Sequence, residues 1–393
     1  MPWTEMKPMD AKVLFLSDCL RNKSSFTELC RLHGISRKTG YKWYQRYQSQ
    51  GISGLREQSR RPQYSPEKIP YGVRKEIIRL RKKYKWGAKK ICEVLAQQHP
   101  EWAVPSRSTI YNILKADGAI PDRKRKRRVV RTISALRAAQ RPNELWTVDY
   151  KGQFLTRDGL WCYPLTVMDH YSRYLLGCDS VVGTGYNAAR EVFERIFKRY
   201  GIPERIRSDN GVPFASRSVG GLSRLSLWWI GLGIIPERIT PGKPQQNGRH
   251  ERMHRTLKND TACPPAQNAD KQQERFDAFR RIYNEVRPHE AIGMQVPQAV
   301  YKRSGRQMPD VPGCIEYPVH YKVSLVNHNG CVWIDNRSVY LGYLLKGQKV
   351  GLEQLSDEFW SVCFGPIPLG SIKKTQKDTL LFTRESKNCY LCP

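Results

Sequence analysis

Along residues 1–122 the apolar positions recur at helical spacing, interrupted by small capping and turn residues. Ser25-Phe26-Thr27-Glu28 has the form of a capping box, in which the serine hydroxyl takes the third helical amide and the glutamate reaches back. Phe26, Leu29 and Cys30 then share one face, Gly34 ends the helix, and Ser36 can cap a second helix running to about Gln48. Helix, glycine turn and helix is the helix-turn-helix arrangement. Its second helix carries Arg37, Lys38, Lys42 and Arg46, with Trp43 and Tyr47 for the core, and Gly40 inside it costs about 1 kcal/mol relative to alanine. A second stretch repeats the theme. The pattern predicts a helix over 73–84, another opening at Trp86, and a third capped by Ser106, with Arg107 at its start and Ile110, Ile113 and Leu114 apolar. The reading is one helix-turn-helix domain over 1–62 and a second, similar unit over 63–122.

From Asn143 onward the period changes. Residues 144–150, 161–168 and 174–182 read as strands, 187–200 as a helix, and 205–208 as a short strand ending at Asp209. Three strands, a helix and a further strand predict a mixed α/β sheet over 142–305, with functional groups at strand ends. Short strands over 319–326, 331–334, 337–340, 348–354 and 359–364, with turns at Asn329-Gly330 and Asp335-Asn336, predict a small β-barrel over 315–375. The remainder, 376–393, reads as a tail.

Charge narrows the partner. The 393 residues hold 67 Lys plus Arg against 36 Asp plus Glu, a formal charge of +31. With 39% hydrophobic and 10% aromatic residues the chain can build cores, so it is not a disordered polycation. Such an excess calls for a polyanion, and nucleic acid binds by releasing counterions from its phosphates. Arg123, Lys124, Arg125, Lys126, Arg127 and Arg128 form a self-repelling block, read as an extended basic linker (123–141) that tracks phosphates. The longest apolar run, 227–235, falls well short of the ~20 residues that span a bilayer, and the N-terminus lacks the features of a signal peptide. Eleven scattered cysteines suggest reduced thiols and a cytoplasmic protein. The lone Cys389/Cys392 pair reads as tail. No phosphate-binding glycine loop with Lys-Ser/Thr occurs, so no nucleotide cofactor is expected.

Three carboxylates stand out. Asp149 lies in an apolar strand, Asp209 stands at a strand end where Gly211 permits a turn, and Glu251 lies in a strongly basic segment. A helix from about Gln246 puts Asn247, Glu251, His254 and Lys258 on one face, while Met253 and Leu257 anchor it from another. Carboxylate oxygens suit Mg²⁺ (or Mn²⁺), and two such ions can activate a nucleophile and stabilise the leaving oxygen of an in-line displacement. Asp169 is read as structural, paired locally with Arg173 or His170. His250 and His254, at i and i+4 around Glu251, superficially resemble a zinc helix, a reading set aside.

Trp146-Thr147-Val148-Asp149, then Val167-Met168-Asp169-His170-Tyr171-Ser172-Arg173, then Ser208-Asp209-Asn210-Gly211, then Pro244-Gln245-Gln246-Asn247-Gly248-Arg249-His250-Glu251 together resemble the catalytic core shared by retroviral integrases and integrase-like insertion-sequence transposases. The resemblance implies a ribonuclease-H-like core behind helix-turn-helix units, with an acidic triad of Asp149, Asp209 and Glu251 holding two Mg²⁺ or Mn²⁺ ions. It implies a transposase that binds terminal inverted repeats on double-stranded DNA, cuts the 3′ ends with water, and joins the freed hydroxyl to a target, with no covalent protein intermediate. Lys258, His254 and Asn247 would then position DNA, and self-association to a dimer or more would pair the ends. The setting implied is the nucleoid of a prokaryotic-type cell. Two other readings stay open: a DNA-binding regulator derived from a transposase, and a ribonuclease-H-like nuclease that cuts without joining. One departure stands out. Asp209 and Glu251 are separated by 41 residues, more than the family's usual interval, and 215–222 reads as a loop insertion. Glu237 is the competing acid, in a strand-like stretch without basic helical neighbours.

Overall fold

Ser25 and Ser36 each hold an extended backbone and then start a helix, because each hydroxyl satisfies an amide that the first turn leaves unpaired. The amide of Glu28 donates to Ser25 Oγ at 3.3 Å, and the Ser25 amide donates to Glu28 Oε2 at 3.1 Å, completing the capping box. The structure, a computed structural model, describes residues 8–22, 24–57, 68–120, 138–311, 313–374 and 380–384. The basic block 123–128 and the Cys389/Cys392 pair lie outside the described residues. Two compact units are present, Met1–Pro70 and Tyr71–Pro393.

In the first unit, α1 (Pro8–Leu20), α2 (Phe26–Leu32) and α3 (Arg37–Gln50) pack around Phe15, Leu16, Leu29, Cys30, Trp43 and Leu55. Gly40 is buried inside α3. A Cβ there would stand 2.6 Å from Cys30 Sγ, 3.1 Å from Phe15 and 3.2 Å from Phe26. What reads in the sequence as a helix defect is the contact point that lets α3 approach α1 and α2.

The second unit begins with α4 (Tyr71–Tyr84), α5 (Ala88–Gln98) and α6 (Arg107–Ala116), joined by buried Ile77, Leu80, Ile91, Leu95, Ile110 and Leu114. The α/β core follows. It contains β1 (Leu145–Tyr150), β2 (Phe154–Leu155), β3 (Trp161–Asp169), β4 (Leu175–Val181), α7 (Tyr186–Tyr200), β5 (Arg205–Ser208), α8 (Arg224–Gly231), β6 (Ile235–Arg238), α9 (Gly248–Leu257) and α10 (Ala269–Arg281). Strand β3 lies antiparallel between β1 and β4, and β5 and β6 continue the sheet parallel to β1. Successive side chains on a strand point to opposite faces. Trp146 and Val148 of β1 therefore join Leu165 and Val167 against α7 and α8, in one core with Phe193, Phe197, Leu225 and Trp229. Thr147 and Asp149 point the other way, to the face where Met253 and Leu257 of α9 and Phe276 and Phe279 of α10 pack on Met168 and Leu175.

The C-terminal strands are β7 (Lys322–Leu325), β8 (Cys331–Ile334), β9 (Arg337–Tyr340), β10 (Lys349–Ser356), β11 (Phe359–Phe364), β12 (Ile367–Lys374) and β13 (Leu380–Arg384). The small β-barrel expected here is not found among the described residues. β13-β12-β11-β10-β7 form a linear antiparallel sheet whose end strands do not pair, and β8 and β9 form a separate ribbon. β12 and β13 extend the sheet beyond the strands expected. Closure is not needed to bury the sheet, because the α/β core packs on it. Val219 and Leu222, within the loop insertion, and Ile230 of α8 share a core with Val350, Val362, Phe364 and Leu369.

Helix propensity alone predicts that Gly40→Ala stabilises the first unit by about 1 kcal/mol. The crowded contact predicts the opposite sign, a loss of about 1–3 kcal/mol from overpacking. Chemical denaturation decides: a more stable Gly40→Ala protein would refute the close-approach account.

Candidate active site

In the parallel pairing of β1 with β5, Trp146 lies opposite Ile206 and Thr147 opposite Arg207. Asp149 lies two residues beyond the last of these pairs on β1, and Asp209 two residues beyond it, directly after the end of β5, so both acids leave the same end of this strand pair. The carboxylate of Asp209 accepts the Gly211 amide at 3.1 Å. A Cβ on Gly211 would stand 3.0 Å from Asp209 Oδ2. A turn does follow this glycine, closed by the Phe214 amide on its carbonyl at 2.9 Å, and the missing side chain also leaves room for the carboxylate. Glu251 sits in the first turn of α9 with an exposed side chain. Burial pushes the Asp149 carboxyl up to about 7, and the negative charges of Asp209 and then Glu251 add to the effect. Burial also raises Asp209, against the pull of the Gly211 amide.

Helix α9 is held down by its histidines. His250 Nε2 and His254 Nε2 each lie 2.7 Å from Thr166 Oγ1, and His250 Nδ1 lies 2.9 Å from Thr147 Oγ1. Thr166 also donates to the Asp149 carbonyl at 2.9 Å. Burial drives both imidazoles to the neutral form, His250 to about 3 and His254 to about 2. His254 Nδ1 is 3.7 Å from Asp149 Oδ2. With a neutral ring at that distance, this is neither an ion pair nor a direct hydrogen bond.

His250-Glu251-Arg252-Met253-His254 does have the spacing of a zinc-protease helix, so spacing alone does not dispose of zinc. The structure does, because the Thr166 hydroxyl stands where both imidazoles converge. Among the described residues no three His, Cys, Asp or Glu side chains form a metal-holding group by themselves. Mg²⁺ needs no such cage, since it binds one or two carboxylates and completes its shell with water and phosphate. Asp149 on β1 and Asp209 directly after β5, both raised by burial, fit that requirement.

The other expected site residues divide. Arg37, Lys38 and Lys42 are exposed on α3, with Arg46 half-buried, and Arg107 is exposed at the start of α6. The side chain of Arg46 stacks 5.2 Å from the Trp43 ring. Lys258 is exposed in a π-helical turn, Lys258–Ala262, directly after α9. His254 and Asn247, expected on the DNA-facing side, are instead buried, and Asn247 Oδ1 has no hydrogen-bond partner among the described residues. Helical phase brings His254 under α9 rather than beside Glu251. Thr147, Thr166 and His250 carry the helix and escaped notice; the one sequence signal was the pair of histidines flanking Glu251.

Two competing acids have structural work. Glu237 is buried with Arg205 at 3.0 Å and with Arg207, and Arg205 also meets Glu144 at 3.0 Å. Asp169 is fully buried, as a structural acid should be; its side chain accepts from the Asn143 amide (2.8 Å) and the Ser172 amide and hydroxyl (2.7 and 2.6 Å), while the nearby Arg173 charge favours its ionised form.

Residues 139–244 and 232–297 match two families each described as integrase core domain. Residues 12–63 match a helix-turn-helix domain and residues 39–114 a homeodomain-like domain. The chain thus carries an integrase core domain with helix-turn-helix domains ahead of it, and its likeness to insertion-element proteins and integrases supports a DNA transposase or integrase activity, that of a DDE polynucleotidyl transferase. Among its relatives is an uncharacterized 31.7 kDa protein of insertion element IS407 from Burkholderia multivorans. It is 28% identical over 219 residues, covering 53% of this chain and 73% of that protein. An uncharacterized 39.2 kDa protein of insertion element IS476 from Xanthomonas euvesicatoria is 25% identical, over 65% of this chain and 71% of its own length. The Gag-Pol polyprotein of baboon endogenous virus is 32% identical over 118 residues, which is 30% of this chain but 6% of the polyprotein. Among solved structures, the HTLV-2 integrase catalytic core domain in complex with magnesium aligns with a TM-score of 0.33 and 14% identity, over 42% of this chain and 99% of that one. A simian T-cell lymphotropic virus intasome chain aligns at 0.37 and 15% identity, over 75% and 96%.

Removing Glu237 strands buried arginine charge, so Glu237→Ala should lower stability by about 3–5 kcal/mol. Glu251→Gln, on an exposed side chain, should stay within about 0.5 kcal/mol of the parent. Urea titrations that reverse this order would reopen the choice between the two acids. The Asp149 shift sets a pH dependence. In chelator, the favourable contribution of the neutral carboxyl is complete below its ordinary value and is lost as pH rises through about 7. The thermal midpoint should therefore fall toward alkaline pH, and fall less for Asp149→Asn; parallel curves for the two proteins would count against it.

Proposed function

We propose that Asp149, Asp209 and Glu251 form the reacting centre of this transposase, and that it cuts the 3′ ends of its own element and joins them to a target. The observation that carries this is the register bringing Asp149 and Asp209 to the same end of the β1–β5 pair, beneath a helix whose first turn offers Glu251. When bound there, Mg²⁺ or Mn²⁺ would neutralise the acids, polarise the scissile phosphodiester and lower the pKa of water. The chain's own contribution is placement. Asp149 comes from β1 and Asp209 from the end of the neighbouring β5, and Glu251 approaches from a helix clamped by Thr147 and Thr166. Exposed Arg249, Arg252, Arg255 and Lys258 on and after that helix can take phosphate oxygens on either side of the cut. Both nucleophiles, water and then the 3′ hydroxyl, approach the same acids, so no protein–DNA bond is required.

Arg37, Lys38, Lys42 and Arg46 on α3 and Arg107 on α6 would hold the terminal repeats, with the basic block 123–128 and Lys258 on the backbone. The domain division proposed is 1–62, 63–122, a linker over 123–141, the core over 142–305, the terminal β region over 315–375, and a tail. Pairing two element ends would require a dimer or higher assembly. A repressor derived from a transposase remains the second reading, and it is weakened by the intact carboxylates at all three places.

Asp149→Asn, Asp209→Asn and Glu251→Gln should each lower both 3′-end cleavage and strand transfer by about 10³-fold or more, with DNA binding retained. Millimolar Mg²⁺ should raise the thermal midpoint of the parent but not of the two aspartate variants. Full strand transfer by any of the three variants would refute the assignment.

A further inference from the structure

The turn between α4 and α5 faces two π-helical turns of the core. Arg81 ties the α4–α5 turn down, donating to the carbonyls of Lys85 at 2.7 Å and Trp86 at 2.9 Å. Trp86 is buried, and Lys89 at the start of α5 reaches Glu290 at 3.2 Å. Between turn and core lies a cavity of about 300 Å³, at the lower end of the range for ligand pockets. Both π turns border it, Lys258–Ala262 through Asp260 and Thr261, and Ile282–Val286 through Ile282 and Tyr283. Turns of this kind are frequent at functional sites. Lys83, Lys85, Arg275 and Arg287 line the cavity, and Asp260 is the one acid among the described residues around it, which leaves a surplus of three positive charges. Lys83, Lys85 and Arg275 are exposed. Arg275 gives one N–H to the Pro264 carbonyl at 2.7 Å and keeps the rest of its fork free for an anion. The aromatic rings of the lining are already paired with one another, Tyr84 with Trp86 at 4.3 Å and Tyr283 with Phe279 at 5.6 Å. The cavity therefore offers charge rather than a platform on which a base could stack.

A row of cations leads to this cavity from the reacting centre. Arg252 and Arg255 are exposed on α9, and Lys258 follows at its end. Arg287 Nη2 lies 3.4 Å from Thr256 Oγ1, which joins the cavity wall to the last turn of α9. Asp260 comes nine residues after Glu251, roughly 13 Å along the helix axis. At about 3.4 Å per nucleotide of one strand, that is a span of about four nucleotides. We propose that the cavity is a phosphodiester site, which seats one backbone phosphate of the element's duplex about four nucleotides from the cut and holds it with Lys83, Lys85 and Arg275. This rests on the reading of Glu251 as part of the reacting centre. The cavity is walled by the α4–α5 turn on one side and by the core on the other. A phosphate seated there fixes α6 relative to Glu251, so the distance from the sequence held by α6 to the bond that is cut is set by the protein.

Binding of the full chain to element-end duplexes is measured in chelator across a salt series, with a single neutral methylphosphonate replacing each phosphate in turn. In the parent, neutralising one phosphate about four nucleotides from the cut should weaken binding about five-fold or more. Lys83→Gln/Lys85→Gln should lower the slope of log affinity against log salt by about one and show no further loss at that position. Both side chains are exposed, so the thermal midpoint of this variant should stay that of the parent. Lys75→Gln/Lys82→Gln removes the same charge from exposed positions of α4 outside the cavity, and should leave the position-specific loss in place. In Mg²⁺ the cavity variant should spread its cleavage over neighbouring phosphodiesters. A position-specific loss that the cavity variant keeps in full, equal behaviour of the two double variants, or cleavage by the cavity variant confined to the parent's single bond would overturn the proposal. Competition by free AMP or inorganic phosphate against the duplex in the parent but not in the cavity variant would show a site for a free phosphate and overturn the backbone assignment. The binding measurements need no catalysis. The expected phosphate pattern together with full strand transfer by Glu251→Gln would therefore keep the seated phosphate and overturn the reacting centre instead.

Discussion

The carboxylate of Asp149 is largely withdrawn from water and stands near two other acids, and the fold must hold it there at a cost in free energy. Its carboxyl is pushed up to about 7 because burial and the charges of Asp209 and Glu251 all oppose ionisation. What prevents the three from drifting apart is rigid support. Asp149 is held by its pairing with Thr166 of β3, and Asp209 directly follows β5, which pairs with the first half of β1. Glu251 is locked by a helix whose underside is pinned to the sheet through Thr147, Thr166, His250 and His254, and by Met253 and Leu257 in the core below. Neutral imidazoles are what make this clamp compatible with burial: charged ones would add two unpaired cations to a dry interface.

The alternation of β1 explains why one strand can serve both the core and the site. Trp146 and Val148 face α7 and α8, whereas Thr147 and Asp149 face α9. The same economy appears around Glu237, whose buried links with Arg205 and Arg207 tie β5 to β6 and fix the strand that delivers Asp209. The extra length between Asp209 and Glu251 has its own use. It projects Val219 and Leu222 into the C-terminal sheet, so the segment that leaves the second aspartate also seats the terminal β region on the core.

Features set by neighbours in the chain could be read from sequence. The capping serines Ser25, Ser36 and Ser106, the strands carrying Asp149 and Asp209, and the helix carrying Glu251 depend on local hydrogen bonding and on period. What could not be read depends on residues far apart. Gly40 looked like a defect because Cys30 and Phe15 meet it only after folding. His254 looked like a DNA contact because the exact helical phase decides which side of α9 meets the sheet, and Asn247 lies in the 3₁₀ turn that precedes α9 rather than on the helix expected from Gln246. Gly211 suggested a turn, which is present, but the room it leaves for the Asp209 carboxylate became visible only after folding. The barrel expected from the short C-terminal strands failed because strand spacing says nothing about closure when another domain can cover the sheet.

The central claim is that Asp149 and Asp209 share a divalent cation next to Glu251. Anomalous scattering from crystals of the full chain soaked in Mn²⁺ addresses it directly. The account predicts a peak within about 2.0–2.4 Å of a carboxylate oxygen from each aspartate, absent in Asp209→Asn crystals. A structure with Mn²⁺ bound elsewhere and none between these two side chains would contradict it.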